Sequence, residues 1–306
     1  MHTLDLIIKA SSLSPEFNAK HFVARHSAIK RFLCAHSLVY RLGTHETQRK
    51  PDEVAQEASE YMNLMCPFLE GPHRDRRFIL NMDQTPVYFN MTPKKTLETI
   101  GVKTVHIRTS TNDTKRATVA VTIAGDGTVL PSTVIFKGKA EGRIARSEFS
   151  TYPTTHHYQC QDNAWMDERV MIAWVDDVLK PYVANAPDHV IPLLILGSYR
   201  RCHMMASVFT RIQELGIEVK HIPGGCTSLC RPVDVGFNKS FKDRVRRQWI
   251  SWMINEGIIH GTTSSPSRRD VAGWVDRAMV EMKNEGGVAI CRNAWSKTGY
   301  EWFKKD

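Results

Sequence analysis

The sequence has no apolar run close to the roughly 18 residues that a membrane-spanning helix requires. The apolar segment at residues 4–8 is too short and too weakly flanked to be a secretory signal. The seven cysteines are odd in number and scattered, which is typical of reduced thiols rather than of a disulfide framework. Internal repeats and low-complexity tracts are also lacking. We therefore expect an intracellular protein with no membrane partner.

The composition is that of an ordinary globular chain, with 306 residues, 42% hydrophobic and 24% charged, enough for one large core or two domains. Forty-one lysines and arginines against 32 acidic residues give a formal charge of +9. This excess favours an anionic partner such as nucleic acid, although a solvated basic surface has the same composition.

Residues 18–37 have the pattern of a small basic helix, with apolar side chains on one helical face and Lys30 and Arg31 elsewhere. The apolar face comprises Phe22, Ile29, Phe32 and Leu33. Residues 40–50 are polar and basic, and this segment with Arg41 is either a linker that follows DNA phosphates or a plain connector. Pro51 is well placed to begin a helix that we expect to end near residue 65.

The middle of the chain predicts an α/β arrangement. Strands are expected at residues 78–83, 104–108, 117–123 and 130–136, with a hairpin turn at 124–128. These strands would form an antiparallel meander. A helix at 167–183 leads to the apolar run 190–196, which is typical of a strand buried on both faces, and a helix at 204–215 and a strand at 217–222 follow.

The last third of the chain is predicted to be helical. A long helix from residue 235 has an apolar stripe, and Lys242 and Arg246 lie on its basic remaining surface, which either contacts DNA or is simply solvated. Lys137 and Lys139 follow a strand and either touch the DNA backbone or belong to an exposed loop. Terminal helices are expected at 270–282 and 293–303, and His156 and His157 are assigned to a polar loop.

Three ends of predicted elements are candidates for a catalytic site: a strand that ends at Asp83, a strand that ends at Gly197, and a helix that begins at Asp234. Ligand and catalytic groups in open α/β sheets lie at the carboxyl ends of strands. Acidic side chains gathered there would hold a pair of Mg²⁺ ions for phosphodiester chemistry. Taken alone, each aspartate is more often a helix cap or a turn former.

Three segments together resemble the DDE domain of pogo-like transposases in the mariner superfamily over about residues 75–255. They are Asn81-Met-Asp-Gln-Thr-Pro-Val87, the run from Leu194 to His203, and the run from Ile222 to Lys239 that contains Pro232-Val-Asp234. The resemblance implies an α/β fold, a ribonuclease-H-like mixed sheet flanked by helices, that cuts and joins DNA with two divalent metals held by three carboxylates.

By this resemblance, Asp83 is the first metal-binding and catalytic carboxylate and Asp234 is the third. Gly197 stands where the family has its second aspartate, and Arg231 stands where a glutamine is more usual. Glycine has no ligand atom, so the site would offer two carboxylates for two ions. Mg²⁺ or Mn²⁺ is the implied cofactor if the protein is active, and no cofactor is implied otherwise.

Residues 28–48 are similar to the end of the centromere protein B type helix-turn-helix module that precedes this domain in the family. The residues that carry the similarity are Phe32, Leu33, His36, Arg41, Thr44 and Gln48. The Arg-His pair usual in that module reads Ala35-His36 here. A zinc site at Cys226 and Cys230 with Cys202-His203 is disfavoured because the spacing is atypical.

The sequence thus predicts a partial helical DNA-binding module and linker at 1–50, a connecting helix at 51–74, a DDE domain at 75–260 and C-terminal helices at 261–306. The favoured function is a DNA-binding, nuclear, transposase-derived protein that has lost strand transfer, with homodimerisation left open. The alternative is an active Mg²⁺-dependent transposase. The candidate DNA-contacting residues are Lys30, Arg31, Arg41, Lys137, Lys139, Lys242 and Arg246.

Overall fold

The computed structural model describes residues 3–38, 50–91, 115–198, 205–258 and 266–300. The chain divides into two compact units, Met1–Gln48 and Arg49–Asp306. The predicted strand at 104–108, nearly all of the predicted linker with Arg41, and the Cys202-His203 pair lie outside the described residues. The domain boundaries proposed from the sequence stay a prediction.

The described residues of the first unit form three helices, α1 (Thr3–Leu13), α2 (Pro15–Asn18) and α3 (Phe22–Ala35). The helix predicted at 18–37 is present, but it begins at Phe22 because a separate short helix, capped by the Ser14 side chain, precedes it. Only Ile29 of its predicted apolar face is buried, whereas Phe22 is 47% and Phe32 50% exposed. Three short helices therefore enclose little apolar surface within this unit.

The second unit is built on a mixed sheet, as the sequence predicts. Its described strands are β1 (Ile79–Tyr88), β2 (Arg116–Ala124), β3 (Thr133–Lys137), β4 (His157–Gln161), β5 (Leu193–Gly197) and β6 (Glu218–Ile222). Their order in the sheet is β4-β3-β2-β1-β5-β6. The pairs β1–β2 and β2–β3 are antiparallel, which confirms the predicted meander, and the other three pairs are parallel.

Local sequence explains one turn and one strand of the sheet. The β2–β3 turn contains Gly127 at φ +93°, a left-handed conformation that glycine adopts without steric cost. All five residues of β5 are buried, because this strand pairs with β1 on one side and β6 on the other and is covered on both faces.

Two strand predictions are wrong in detail. The first strand does not end at Asp83: β1 continues to Tyr88, since β2 pairs with it as far as Tyr88↔Arg116, whereas its ladder with β5 ends at Asn81↔Ile195. The predicted polar loop around His156 and His157 is also wrong. His157 begins β4, and His156 is 5% exposed, because this polar segment pairs with β3 at the edge of the sheet.

Helices cover both faces of the sheet. In chain order they are α4 (Pro51–Leu69), α5 (Arg143–Ser147), α6 (Glu168–Trp174), α7 (Lys180–Val183), α8 (Ala206–Gln213), α9 (Thr227–Cys230), α10 (Asn238–Trp252), α11 (Arg268–Met282) and α12 (Glu285–Lys297). A π-helical turn, Val175–Leu179, joins α6 to α7, and a second, Val233–Phe237, leads into α10. A third π-helical segment, Met253–Ile258, follows α10.

The helix predictions differ from the structure mainly at their ends. α4 runs to Leu69 rather than 65, and α12 lies about one to two turns before the predicted 293–303 because Asn284 caps it with its side chain. Val208 and Ile212 form the buried face of α8, whereas Phe209 is 37% exposed.

The sheet separates two apolar cores. One contains Ile79 and Val87 of β1 together with side chains from α4, α10, α11 and α12. The other contains Leu80 and Met82 with side chains from α6, α7 and α8. Because side chains alternate along a strand, Asn81 and Asp83 project to the same face as Ile79. No helix among the described residues combines the length and apolar character needed to cross a bilayer.

Candidate functional site

The three positions singled out in the sequence lie on neighbouring elements. Asp83 lies in β1, two residues beyond the end of the ladder with β5. Gly197 is the last residue of β5 and pairs with Ile222 of β6. Asp234 lies in the first turn of the π-helical segment that leads into α10. The divergence of β1 from β5 therefore opens a recess beside Asp83 that the start of this helical segment approaches.

Asn81 fixes that approach, and sequence reasoning did not assign it a role. Its side chain is fully buried. The amide nitrogen donates to the carbonyl of Ile195 in β5 at 2.9 Å, and the amide oxygen accepts from the backbone N–H of Val233 at 3.1 Å. Both groups are backbone groups that burial would otherwise leave unpaired. Asn81 thus ties the residue before Asp234 to the two central strands.

Arg231 joins the two aspartates. Nη1 of Arg231 forms an ion pair with Oδ1 of Asp83, and the same nitrogen lies 3.2 Å from Oδ2 of Asp234. The Arg231 and Asp83 side chains are 13% and 11% exposed, and that of Asp234 is 31% exposed. The structure therefore brings Asp83 and Asp234 together around one guanidinium, as neighbours rather than as unrelated surface acids.

Gly197 lies against the other side of the same guanidinium. A Cβ built on Gly197 would lie 3.1 Å from Cζ of Arg231 and would overlap Nη2. Any other residue at position 197 would therefore require the Arg231 side chain to move. Because Gly197 has no side chain, the Arg231 guanidinium occupies the space that a side chain at position 197 would take.

The electrostatics of the cluster are dominated by the proximity of its acids. Burial, followed by the negative charge of Asp83, raises the pKa of Asp234 to about 6, against the opposing effect of the Arg231 guanidinium. Nδ2 of Asn238 also donates to Oδ1 of Asp234 at 2.9 Å. The Arg231 guanidinium keeps its positive charge, because arginine does not lose its proton in proteins. With both acids ionised, the three side chains carry one net negative charge.

The described residues give divalent metals few ligands here. No group of three or more histidine, cysteine, aspartate or glutamate side chains is arranged to hold a metal among them. Cys226 and Cys230 are buried, and their sulfurs face the carbonyls of Val54 and Ala58 in α4. Packing against α4 therefore accounts for both thiols.

The candidate DNA-contacting side chains lie on separate elements. Lys30 and Arg31 are exposed on α3, Lys137 and Lys139 at the end of β3, and Lys242 and Arg246 on α10. Arg41 lies outside the described residues. Their exposure leaves these charges accessible to a phosphate backbone, and their role stays a prediction.

Comparison with known proteins identifies the family. The DDE superfamily endonuclease family matches residues 114–284, more than half of the chain. The mouse protein named pogo transposable element with KRAB domain is 23% identical over 285 residues, covering 92% of this chain and 46% of that protein. The human pogo transposable element with ZNF domain is 19% identical over 219 residues, covering 72% of this chain and 15% of that protein. The chain thus spans less than half the length of these relatives.

Solved structures of the mariner transposase Mos1 share the fold. The strand transfer complex has a TM-score of 0.55 at 12% identity, covering 98% of this chain and 76% of the Mos1 chain. The paired end complex with Mg has a TM-score of 0.53 at 11% identity, covering 98% and 79%. These likenesses confirm the ribonuclease-H-like fold predicted from the sequence. The chain belongs to the DDE superfamily endonucleases, and its domain is that of a pogo-like transposase.

Proposed function

We propose that this protein binds DNA as a derivative of a DDE transposase and does not cut or join DNA strands. The observation that carries the proposal is the Arg231 guanidinium, which contacts both Asp83 and Asp234 beside a glycine at position 197. In this interpretation, Asp83 and Asp234 correspond to the first and third metal-binding carboxylates, and Gly197 to the lost second one.

Two-metal phosphodiester chemistry places two divalent cations about 4 Å apart, one on the attacking oxygen and one on the leaving oxygen. Mg²⁺ and Mn²⁺ would need free carboxylate oxygens for this arrangement. Here one cationic side chain already shares the two carboxylates, and the third is absent. The residues present do not fit a pair of metal ions, and we assign no catalytic step to them.

Charge and kinship support DNA as the partner. The formal charge is +9, and exposed lysines and arginines occur on α3, after β3 and on α10. One solved structure that shares the fold is the Mos1 transposase paired-end complex with the left transposon end. The proposed DNA partner favours a nuclear location. Homodimerisation is a prediction that a sedimentation measurement would check.

The alternative is an active, metal-dependent transposase, and one observation favours it: both outer carboxylates are retained and adjacent. A flexible arginine that swings away would free them. Such an enzyme would still need a third metal ligand from water or from DNA.

Two assays on the full chain test the proposal. Fluorescence anisotropy with a short duplex should show binding that weakens by about tenfold or more between roughly 50 and 200 mM salt. Lys242→Ala should reduce the slope of log K against log salt by about one. Lys180→Ala, on α7 against the opposite face of the sheet, should leave that slope unchanged.

The second assay is nicking of a supercoiled plasmid with Mg²⁺ or Mn²⁺. We expect no nicking above that of Asp83→Ala. Metal-dependent nicking that Asp83→Ala abolishes would establish the active transposase instead. Absence of any DNA retention at low salt would refute the binding function in both forms.

A further inference from the structure

The guanidinium of Arg231 occupies the space between the two carboxylates that a bound cation would need. The backbone holds the side chain at that place. The N–H of Arg231 donates to the carbonyl of Thr227 at 3.1 Å, and the carbonyl of Arg231 accepts from the N–H of Val235 at 3.0 Å. Arg231 therefore projects from a hydrogen-bonded turn directly before Asp234.

We propose that Arg231 is a built-in cation that replaces divalent metal at Asp83 and Asp234, and that Gly197 is the residue that makes room for it. The inference rests on the proposed function only for the former role of the two aspartates. Its content is that the glycine at 197 and the position of the Arg231 guanidinium depend on each other.

Packing supports the coupling. The nearest atoms to a Cβ at Gly197 all belong to the Arg231 guanidinium group, with Cζ at 3.1 Å and Nε at 3.7 Å. A side chain at 197 would push this group out of the recess between the aspartates. Conversely, removing the arginine would take away the three atoms nearest to that Cβ position, and buried space without partner atoms loses its contacts.

Charge supports the exclusion of metal. A guanidinium has no acceptor lone pair and cannot lose its proton in a protein, so it cannot act as a ligand. It repels a divalent cation that approaches the same two carboxylates, and its N–H groups engage oxygens that the metal would need. Restoring an aspartate at 197 alone would therefore create a third partner for Arg231 rather than an open metal site.

The first test measures Mn²⁺ binding by isothermal titration calorimetry, without DNA, on the full chain. The wild type and Gly197→Asp should show no Mn²⁺ binding at Asp83, that is, no binding that disappears when Asp83→Asn is added. The double variant Gly197→Asp/Arg231→Gln should bind Mn²⁺ with a Kd at least about tenfold lower than the weakest binding that the titration of Gly197→Asp alone would detect. Arg211→Gln, which removes an arginine paired with Asp176 elsewhere, is the matched control and should bind as the wild type does.

Three outcomes would overturn the proposal. The wild type could bind Mn²⁺ in an Asp83-dependent way, Gly197→Asp could bind as tightly as the double variant, or the double variant, shown to be folded by circular dichroism, could bind no better than the wild type. None of these readouts uses DNA or strand cleavage. They therefore separate this inference from the proposed function, which the anisotropy and nicking assays test.

The second test needs no metal and uses conservative changes. Gly197→Ala should lower the Tm by about 2–4 °C in the wild type, the shift expected for about a fivefold change in the folding equilibrium. In the Arg231→Gln background, the same Gly197→Ala change should lower the Tm by less than half as much. Equal shifts in both backgrounds would show that position 197 does not sense the guanidinium and would overturn the coupling.

Discussion

Two polar clusters among the described residues of the second unit contain a buried titratable side chain. They differ in whether that side chain is charged or neutral. The acidic cluster, Asp83 with Arg231 and Asp234, keeps its groups charged and pairs them. The histidine cluster, His156 with Ser132 and Asp276, keeps its ring neutral. Burial lowers the pKa of His156 to about 4, although the nearby Asp276 carboxylate acts in the opposite direction.

The geometry of the histidine cluster explains its neutrality. Nδ1 of His156 accepts from the backbone N–H of Ser132 at 3.2 Å, so this nitrogen carries no proton. Nε2 lies 3.6 Å from Oδ1 of Asp276, and Asp276 itself accepts from the Thr155 hydroxyl. This ring therefore links the segment before β4 to the segment before β3 as a neutral hydrogen-bonding group.

The two clusters differ in the cost of burying their polar groups. A neutral histidine at the sheet edge connects two chain segments at little electrostatic cost. Two acids and an arginine at the divergence of β1 and β5 carry a desolvation cost that apolar side chains would avoid. We interpret the acidic cluster as a former functional site that is now held together by its own cation.

The largest expected effect comes from breaking the acidic cluster. Arg231→Met should destabilise the protein by about 3 kcal/mol at pH 7, because it leaves the buried Asp83 carboxylate without a cation and next to the partly exposed Asp234 carboxylate. Urea denaturation would measure this change. At pH 5 the cost should shrink, since Asp234, with its pKa raised to about 6, is then mostly protonated.

The matched control is Arg211→Met. Arg211 pairs with Asp176 at 2.6 Å, but its side chain is 34% exposed. Surface ion pairs contribute little, so this variant should lose much less stability than Arg231→Met does. Equal losses in the two variants would mean that the acidic cluster behaves as an ordinary surface pair.

The contribution of His156 to the free energy of unfolding should depend on pH. In the unfolded chain His156 binds a proton near pH 6.5, whereas in the folded protein it does so only near pH 4. The folded state thus binds fewer protons between these values. Its stabilising contribution is present above pH 6.5 and is lost as the pH falls toward 4, by up to about 3 kcal/mol.

The comparison of the wild type with His156→Gln isolates this contribution. Glutamine retains an acceptor for Ser132 but does not titrate, so the stability gap between the two proteins should narrow as the pH falls from 7 to 4.5. The other titratable groups that act on the ring, Asp276, His157 and Lys283, are present in both proteins. A gap that does not change with pH would contradict the neutral state of the buried ring.

Sequence reasoning succeeded where the local pattern and the tertiary environment agree. The apolar run that forms β5 is buried as expected, because an unbroken apolar pattern matches a strand that is covered on both faces. The convergence of Asp83 and Asp234 was also predicted, from the resemblance to a ribonuclease-H-like sheet, although Asp83 lies within β1 rather than at its end. That inference needed the order of elements along the chain but no distances.

Sequence reasoning failed where a long-range partner decides the structure. The β4 segment His157–Gln161 is polar and alternates weakly, and its pairing with β3 makes it a strand. Asn81 has an ordinary strand position, and only the folded chain reveals its bonds to β5 and to Val233. Arg231 was recognised as an unusual residue, but its reach to Asp83, 148 residues away in sequence, depends on the tertiary structure.

The smallest expected effect concerns Asn81, which connects the acidic cluster to the sheet without carrying charge. Asn81→Ala should destabilise the protein by about 2 kcal/mol, because it leaves the Ile195 carbonyl and the Val233 N–H buried and unpaired. Asn63→Ala, on the exposed face of α4, is the matched control and should change stability by less than about 0.5 kcal/mol.

This substitution also reports on the acidic cluster. If Asn81 holds the start of the Asp234 helical segment against β1, its loss lets Asp234 move away from Asp83 and into solvent. Both causes of the raised Asp234 pKa, burial and the charge of Asp83, then weaken, and a carbon-detected NMR titration should place that pKa lower than in the wild type. An unchanged Asp234 pKa in a destabilised Asn81→Ala protein would show that Arg231 alone is enough to hold the two aspartates together.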